Sequence, residues 1–176
     1  TADERLTRLY TDHEHHDGYI RDGCVFSEEI DIFDKMGAQI RYANGVQVSY
    51  SCTTYSPYEG YRIAFNGTEG RLEAWIQERQ PWPMEDYDEL RLTRNFGATE
   101  LIRVPHGGGG HGGGDVRMLN HIFRDADGDD PYRQRADVRQ GAMAVLIGIA
   151  ARTSARSGRP VDIASLTSLE PRREWA

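Results

Sequence analysis

Hydrophobic residues recur along this chain with two different periods, and the change falls in one place. From Ile30 to Val104 apolar positions mostly alternate with polar ones, the period of a strand with one covered face; beyond Asp115 they recur at helical spacing. Between the two lies Pro105 to Asp115, in which seven of the eight residues from Gly107 to Gly114 are glycine and the exception is His111. That run has no side chains to pack and loses much backbone entropy on ordering. It is either a flexible tether carrying a surface histidine or a loop whose backbone comes close to something.

The period-two region divides into strands. Met36, Ala38, Ile40 and Tyr42 alternate with Lys35, Gly37, Gln39 and Arg41; after Asn44 and Gly45, Val46, Val48, Tyr50 and Cys52 alternate with Gln47, Ser49 and Ser51. This predicts a hairpin. A two-residue turn would set Ile40 opposite Ser49 and join unlike faces. A three-residue loop, Ala43 to Gly45, pairs Tyr42 with Val46, Ile40 with Val48 and Ala38 with Tyr50, so a type I turn with Gly45 left-handed is expected. Thr54 to Gly60 breaks the pattern before Tyr61, Ile63 and Phe65 resume it. A turn at Asn66 to Gly70 leads to Leu72, Ala74 and Ile76 on one face of Arg71 to Gln77. Pro81, Trp82 and Pro83 end that strand, Met84 to Asp88 form an acidic loop, and Glu89 to Phe96 with Thr99 to Val104 make a further hairpin across Gly97 and Ala98.

Helical spacing marks the rest. Residues 2–12 predict a short amphipathic helix with Leu6, Leu9 and Tyr10 on one stripe, and 18–28 a loop. Asp115 reads as the N-cap of a helix reaching about Arg124, with Val116, Leu119, Ile122 and Phe123 apolar. Residues 135–157 form the longest helix, with Val138, Ala142, Val145, Ile149 and Ala150 as its main face, and Gly158 stops it. Pro160 to Ile163 reads as a short closing strand. Strands first and helices afterwards predict an α+β fold: a largely antiparallel open sheet of about six strands with helices packed on one face. The division expected is an N-terminal helix and loop over 1–29, an α+β domain over 30–169 and a polar tail over 170–176.

Composition narrows the class. At 176 residues, 38% hydrophobic and 28% charged, the chain suits one globular domain. Its net charge of −7 argues against nucleic acid or an anionic membrane as partner. No apolar run approaches the roughly 20 residues of a membrane span, no signal-peptide pattern is present, and Cys24 and Cys52 are too few for a disulfide framework. A cytoplasmic location is expected. The chain opens on Thr1 with helical sequence already under way, which suggests a piece of a longer protein.

Three stretches carry potential chemistry. Asp12 to Asp17, with His13, His15 and His16, lacks the spacing of a helical metal pair apart from alternatives using Asp12 and His16; it reads as a solvated helix end, and no metal is expected. Asp125 to Pro131 opens like a calcium loop but has Ala136 where a bidentate glutamate is required and Pro131 inside the loop, so it is an acidic turn. The glycine run satisfies G-x-G-x-x-G from Gly107 to Gly112, yet the sequence after its helix is the acidic turn rather than an apolar parallel strand, and no Gly-Lys-Ser/Thr occurs. What remains is a set of backbone N–H groups and His111 before a helix, able to meet a ligand oxygen. Candidate substrate-side residues are His111, Asp115, Tyr58, Glu59 and Arg62. Arg62 can hold a carboxylate or phosphate, and the plain alternative for Tyr58, Glu59 and Arg62 is a loop-closing cluster beside Pro57.

Asp31 to Met36, Arg41 to Val46, Gly67 to Glu73, Gly110 to Asp115 and Gly158 to Ile163 follow one another in an order that resembles the C-terminal domain of the Gfo/Idh/MocA oxidoreductases, from about Ile30 to Leu166. The resemblance implies a protein with a further, dinucleotide-binding domain for NAD or NADP, and a hydride passed between a sugar or polyol and the nicotinamide. It also implies substrate held between the domains and a homodimer or higher homo-oligomer through the open sheet face. No cofactor is expected on this stretch itself, which would be inactive alone. The family's Glu-Lys-Pro segment is absent, its Asp-x3-His segment has no clear match despite the spacing of Asp12 and His16, and Phe33 stands where relatives often have an acidic residue. Catalytic residues are therefore expected upstream. Two other classes compete: an NAD-dependent glycosidase of the same superfamily, whose motif the run from Gly110 to Asp115 resembles, and a non-enzymatic dimerisation domain.

Overall fold

A computed structural model of the chain describes residues 3–125 and 128–170. The expected tail beyond Glu170, and the helix start at Ala2, lie outside the described residues. The chain divides into two compact units, Thr1–Tyr55 and Ser56–Ala176.

In the first unit a short helix, α1 (Glu4–Leu9), is capped by Asp3, whose carboxylate accepts from the N–H groups of Arg5 and Leu6. A 3-10 turn joins it to α2 (Glu14–Asp17), ended by Gly18 at φ 70°. The strands β1 (Lys35–Arg41) and β2 (Gln47–Thr53) then pair antiparallel with Tyr42 meeting Val46: the Tyr42 N–H donates to the Val46 carbonyl at 2.8 Å and Gly45 N–H to Tyr42 at 3.0 Å. Ile40 faces Val48, Ala38 faces Tyr50, and Gly45 has φ 88°. The register follows from matching apolar faces, as the sequence predicts.

The second unit holds a meander of β3 (Glu59–Asn66), β4 (Gly70–Arg79), β5 (Tyr87–Arg94) and β6 (Thr99–Pro105), all antiparallel and in chain order. The α+β class and the six-strand succession are those expected, but the strands form two sheets, of two and four strands, instead of one. Within the larger sheet, Ile63 pairs with Ala74 and Phe65 with Leu72; Ala74 pairs with Leu90 and Leu90 with Ile102. One face is therefore apolar and centred on Ala74, which is buried. The opposite face carries Arg62, Glu73, Trp75, Tyr87, Glu89 and Arg91.

The helices α3 (Gly114–Phe123) and α4 (Val138–Ser157) follow. In α4 the Asp137 carboxylate accepts from Gln140 N–H while the Gln140 amide oxygen accepts from Asp137 N–H, a reciprocal cap. Gly158 ends the helix at φ 66°. The sequence places Val138, Val145 and Ile149 on its covered face, yet these are exposed; the covered side runs through Met143, Leu146, Ile147 and Ala150. A helix apolar nearly all round leaves that choice to packing, not to periodicity. Pro160 to Ile163 is no strand either. The Asp162 carboxylate takes the Ala164 N–H and curls Ile163–Ser165 into a 3-10 turn against α4. Among the described residues only Ala74 and Ala150 of the hydrophobic ones are buried, and Val116, Leu119 and Phe123 of α3 stay exposed.

Asp137→Ala removes one half of the reciprocal cap, at a typical cost of about 1 kcal/mol. Amide exchange in the first turn of α4 is then expected to quicken roughly fivefold, while β3 to β6 keep their protection. Unchanged exchange at Gly141 and Ala142 would show that the cap does not hold the turn.

Candidate functional site

The glycine run does not trail as an open tether. Gly110–Gly113 turns in a short 3-10 segment with His111 at φ 50° and Gly109, Gly112 and Gly113 at 98°, 63° and 86°. That handedness is accessible to glycine and uncommon in other residues, so the composition of the loop is dictated by its path. The run feeds α3, whose N-cap is Gly113. Asp115, read from sequence as the N-cap, is instead inside the helix. A carboxylate one turn past His111 has a better partner than the helix amides: its Oδ1 and Oδ2 lie 2.9 and 3.0 Å from His111 Nδ1.

This pairing fixes one ring nitrogen and leaves the other open. The His111 side chain is 86% exposed and Asp115 47%. Hydrogen bonding to Asp115 first, and its charge second, raise the His111 pKa above the ordinary imidazole value. An imidazole oriented through Nδ1 by a carboxylate, with Nε2 facing solvent, can accept or donate a proton at that second nitrogen.

Tyr58 and Arg62 belong to a different cluster. Arg62 stacks its guanidinium 4.4 Å from the centre of the Trp75 ring, and Tyr58 meets Trp75 and Trp82 edge-on at 6.3 and 5.4 Å. Pro81 and Pro83 set the turn that brings Trp82 over the sheet. Arg62, Trp75 and Trp82 border a cavity of about 790 Å³ on the polar face of the larger sheet. In its walls Arg71 Nε donates to Glu73 Oε2 at 2.7 Å, and His106 Nε2 lies 3.2 Å from Asp88 Oδ1. Arg71, aided by Arg91 across the strand pair, holds the Glu73 carboxyl below its usual range. Glu59 goes elsewhere: it faces Arg79 on the exposed strand pair at 3.8 Å. The five candidate residues thus resolve into one pair, His111 with Asp115, one aromatic cluster with Tyr58 and Arg62, and Glu59 apart from both.

Trp75, Trp82, Asp88 and His106 were not among the candidates. Trp75 had a readable signal, since it alternates with Ala74 and Ile76 and so must stand on the polar face. Asp88 and His106 come together only through pairing of β5 with β6 and have no local signature, and Trp82 lies on the loop before β5.

Elsewhere, His15 and His16 stack with ring centres 3.9 Å apart, and no three His, Cys, Asp or Glu side chains among the described residues converge as a metal site. The Asp130 carboxylate accepts the N–H groups of Arg135 and Gln134, which lowers its pKa. No described helix is long and apolar enough to cross a membrane.

Residues 10–163 match the family model described as the oxidoreductase family C-terminal alpha/beta domain. The chain is also similar to the Bacillus subtilis (strain 168) protein YteT, whose name marks it provisionally as an oxidoreductase: 34% identity over 158 residues, covering 86% of this chain and 36% of that protein. It therefore spans about a third of the length of that curated relative. No solved structure matches.

Proposed function

This chain belongs to the Gfo/Idh/MocA oxidoreductase family as its C-terminal alpha/beta domain, and from that premise we propose that it is the substrate-side domain of an enzyme oxidising a sugar or polyol with NAD or NADP. The observation that carries the reading is the His111–Asp115 pair at 2.9 Å, exposed on a loop whose glycines let a ligand come close. A nicotinamide supplies the hydride acceptor in such chemistry. The described residues do not fit a dinucleotide: both sheets are antiparallel, and no described strand follows α3. The cofactor is accordingly assigned to residues outside this chain.

On this reading, His111 serves the substrate end. Asp115 holds Nδ1, so Nε2 takes the hydrogen of a substrate hydroxyl and orients the carbon that bears it. Self-association of copies through the open sheet face belongs to the same reading, and sedimentation velocity is expected to show a homodimer or larger.

The deciding experiment incubates the full-length protein with NAD or NADP and a panel of polyols and aldoses, following absorbance of the reduced nicotinamide. Accumulation with a free polyol supports the assignment. Release of nitrophenol from aryl glycosides with no net cofactor reduction would overturn it in favour of a glycosidase, and activity in neither assay would leave a binding or assembly domain.

A further inference from the structure

The exposed side of α4 takes no part in the His111 reading. Val138, Val145 and Ile149 are 91%, 63% and 46% exposed, while the covered side of the helix runs through Met143, Leu146, Ile147 and Ala150. Steps of seven and four residues keep the three exposed positions on one line, the spacing at which a second helix seats. Gly141 and Gly148 flank that line. Glycine is disfavoured in mid-helix, and a Cβ at either position would meet nothing within 4 Å. The chain's own packing does not ask for these glycines; close approach by another backbone does.

Laid antiparallel on a second copy of itself, this face is self-complementary. About a two-fold axis through Val145, Ile149 of one copy falls opposite Gly141 of the other, and Arg152 falls opposite Val138. Large meets small, and the aliphatic stem of the arginine covers the valine. Charge decides the direction. No acidic residue occurs from Val138 to Val161, and the C-terminal end of α4 carries Arg152 and Arg156 with Arg159 just beyond. Asp129, Asp130 and Asp137, beside Arg133 and Arg135, stand before its N-terminus. A parallel pair would set arginines against arginines. An antiparallel pair turns them toward the acidic flank of the other copy.

We propose that α4 is an interface between two copies of this chain, paired antiparallel about a two-fold axis at Val145. It is a surface distinct from the open sheet face, and it stands whether or not the protein oxidises a polyol.

Cysteine cross-linking of the full-length protein tests it, with diamide as oxidant and non-reducing electrophoresis as readout. Val145→Cys is expected to give covalent dimer about tenfold above wild type, because the axis brings the two thiols together. Val138→Cys should stay at the wild-type level, since seven residues on either side of the axis separate its two copies by about 21 Å. Mixing Val138→Cys with Arg152→Cys should restore the cross-link. In sedimentation velocity, Ile149→Glu and Gly141→Leu should each weaken association about tenfold. Cross-linking of Val145→Cys no greater than that of Val138→Cys overturns the interface. So does a cross-link at Val145→Cys with association unchanged in Ile149→Glu, which would mark a collision between copies. Self-association that persists in Ile149→Glu without any Val145→Cys cross-link defeats this interface and leaves assembly to the sheet face.

Discussion

On the proposed reading, replacing His111 with alanine in the full-length protein is expected to lower kcat/KM for a polyol about a hundredfold, with the fold unchanged. The loop carrying His111 is exposed, and its ring contacts little besides Asp115, so truncation removes chemistry and not packing. A hydrogen bond to a polarised or charged partner contributes about 1.5–3 kcal/mol, and each 1.36 kcal/mol is tenfold in rate. The pH profile separates a working imidazole from a structural one. Asp115 raises the His111 pKa, so His111 is protonated, and unable to take a hydroxyl hydrogen, up to a higher pH than a free imidazole. Polyol oxidation should therefore climb as pH rises through that raised value. Asp115→Asn removes the anion and moves the climb to lower pH while weakening the orientation of the ring. Wild-type kcat/KM in His111→Ala, or an acidic limb that Asp115→Asn leaves in place, would show that His111 serves only the loop.

Much of this is legible in the sequence, because several signals are local. The β1–β2 register follows from matching apolar faces across Asn44 and Gly45, and Gly158 ends α4 where a left-handed residue is needed. Failures came where a residue had two available partners. Asp115 could cap the helix or hold His111, and sequence favours the nearer choice; the imidazole won because the backbone turns left-handed at Gly112 and Gly113 and brings the ring over the carboxylate. Asp162 likewise offered its oxygen to the backbone and replaced a strand by a turn. The covered side of α4 was unreadable for another reason: apolar residues surround it from Met143 to Ala151, so period alone cannot choose. The sheet-face cavity needed long-range pairing. Arg62, Trp75, Trp82 and His106 are scattered over the sequence, and only the meander gathers them.

Within the glycine run, neighbouring substitutions should differ by about a hundredfold in their effect on turnover, and the contrast tests whether the loop path matters. At Gly107 an added Cβ would run into the Gly112 carbonyl oxygen, where the two limbs of the loop close on each other. Neither atom is the end of a flexible side chain, so Gly107→Ala must open the loop, at a cost of about 2 kcal/mol or more. His111 and Asp115 would lose their fixed pose, and kcat/KM should fall about as far as in His111→Ala, with faster amide exchange confined to the loop and the first turn of α3. At Gly108 an added Cβ meets nothing within 4 Å, and no left-handed backbone is required there. Gly108→Ala should therefore keep kcat/KM within about twofold and even raise stability by about 0.4–1 kcal/mol, since alanine restricts the unfolded chain more than glycine does. A tether would treat the two positions alike. Equal kinetics for Gly107→Ala and Gly108→Ala would mean that the closed path of the loop does nothing for His111, and the glycines would then serve only as slack between β6 and α3.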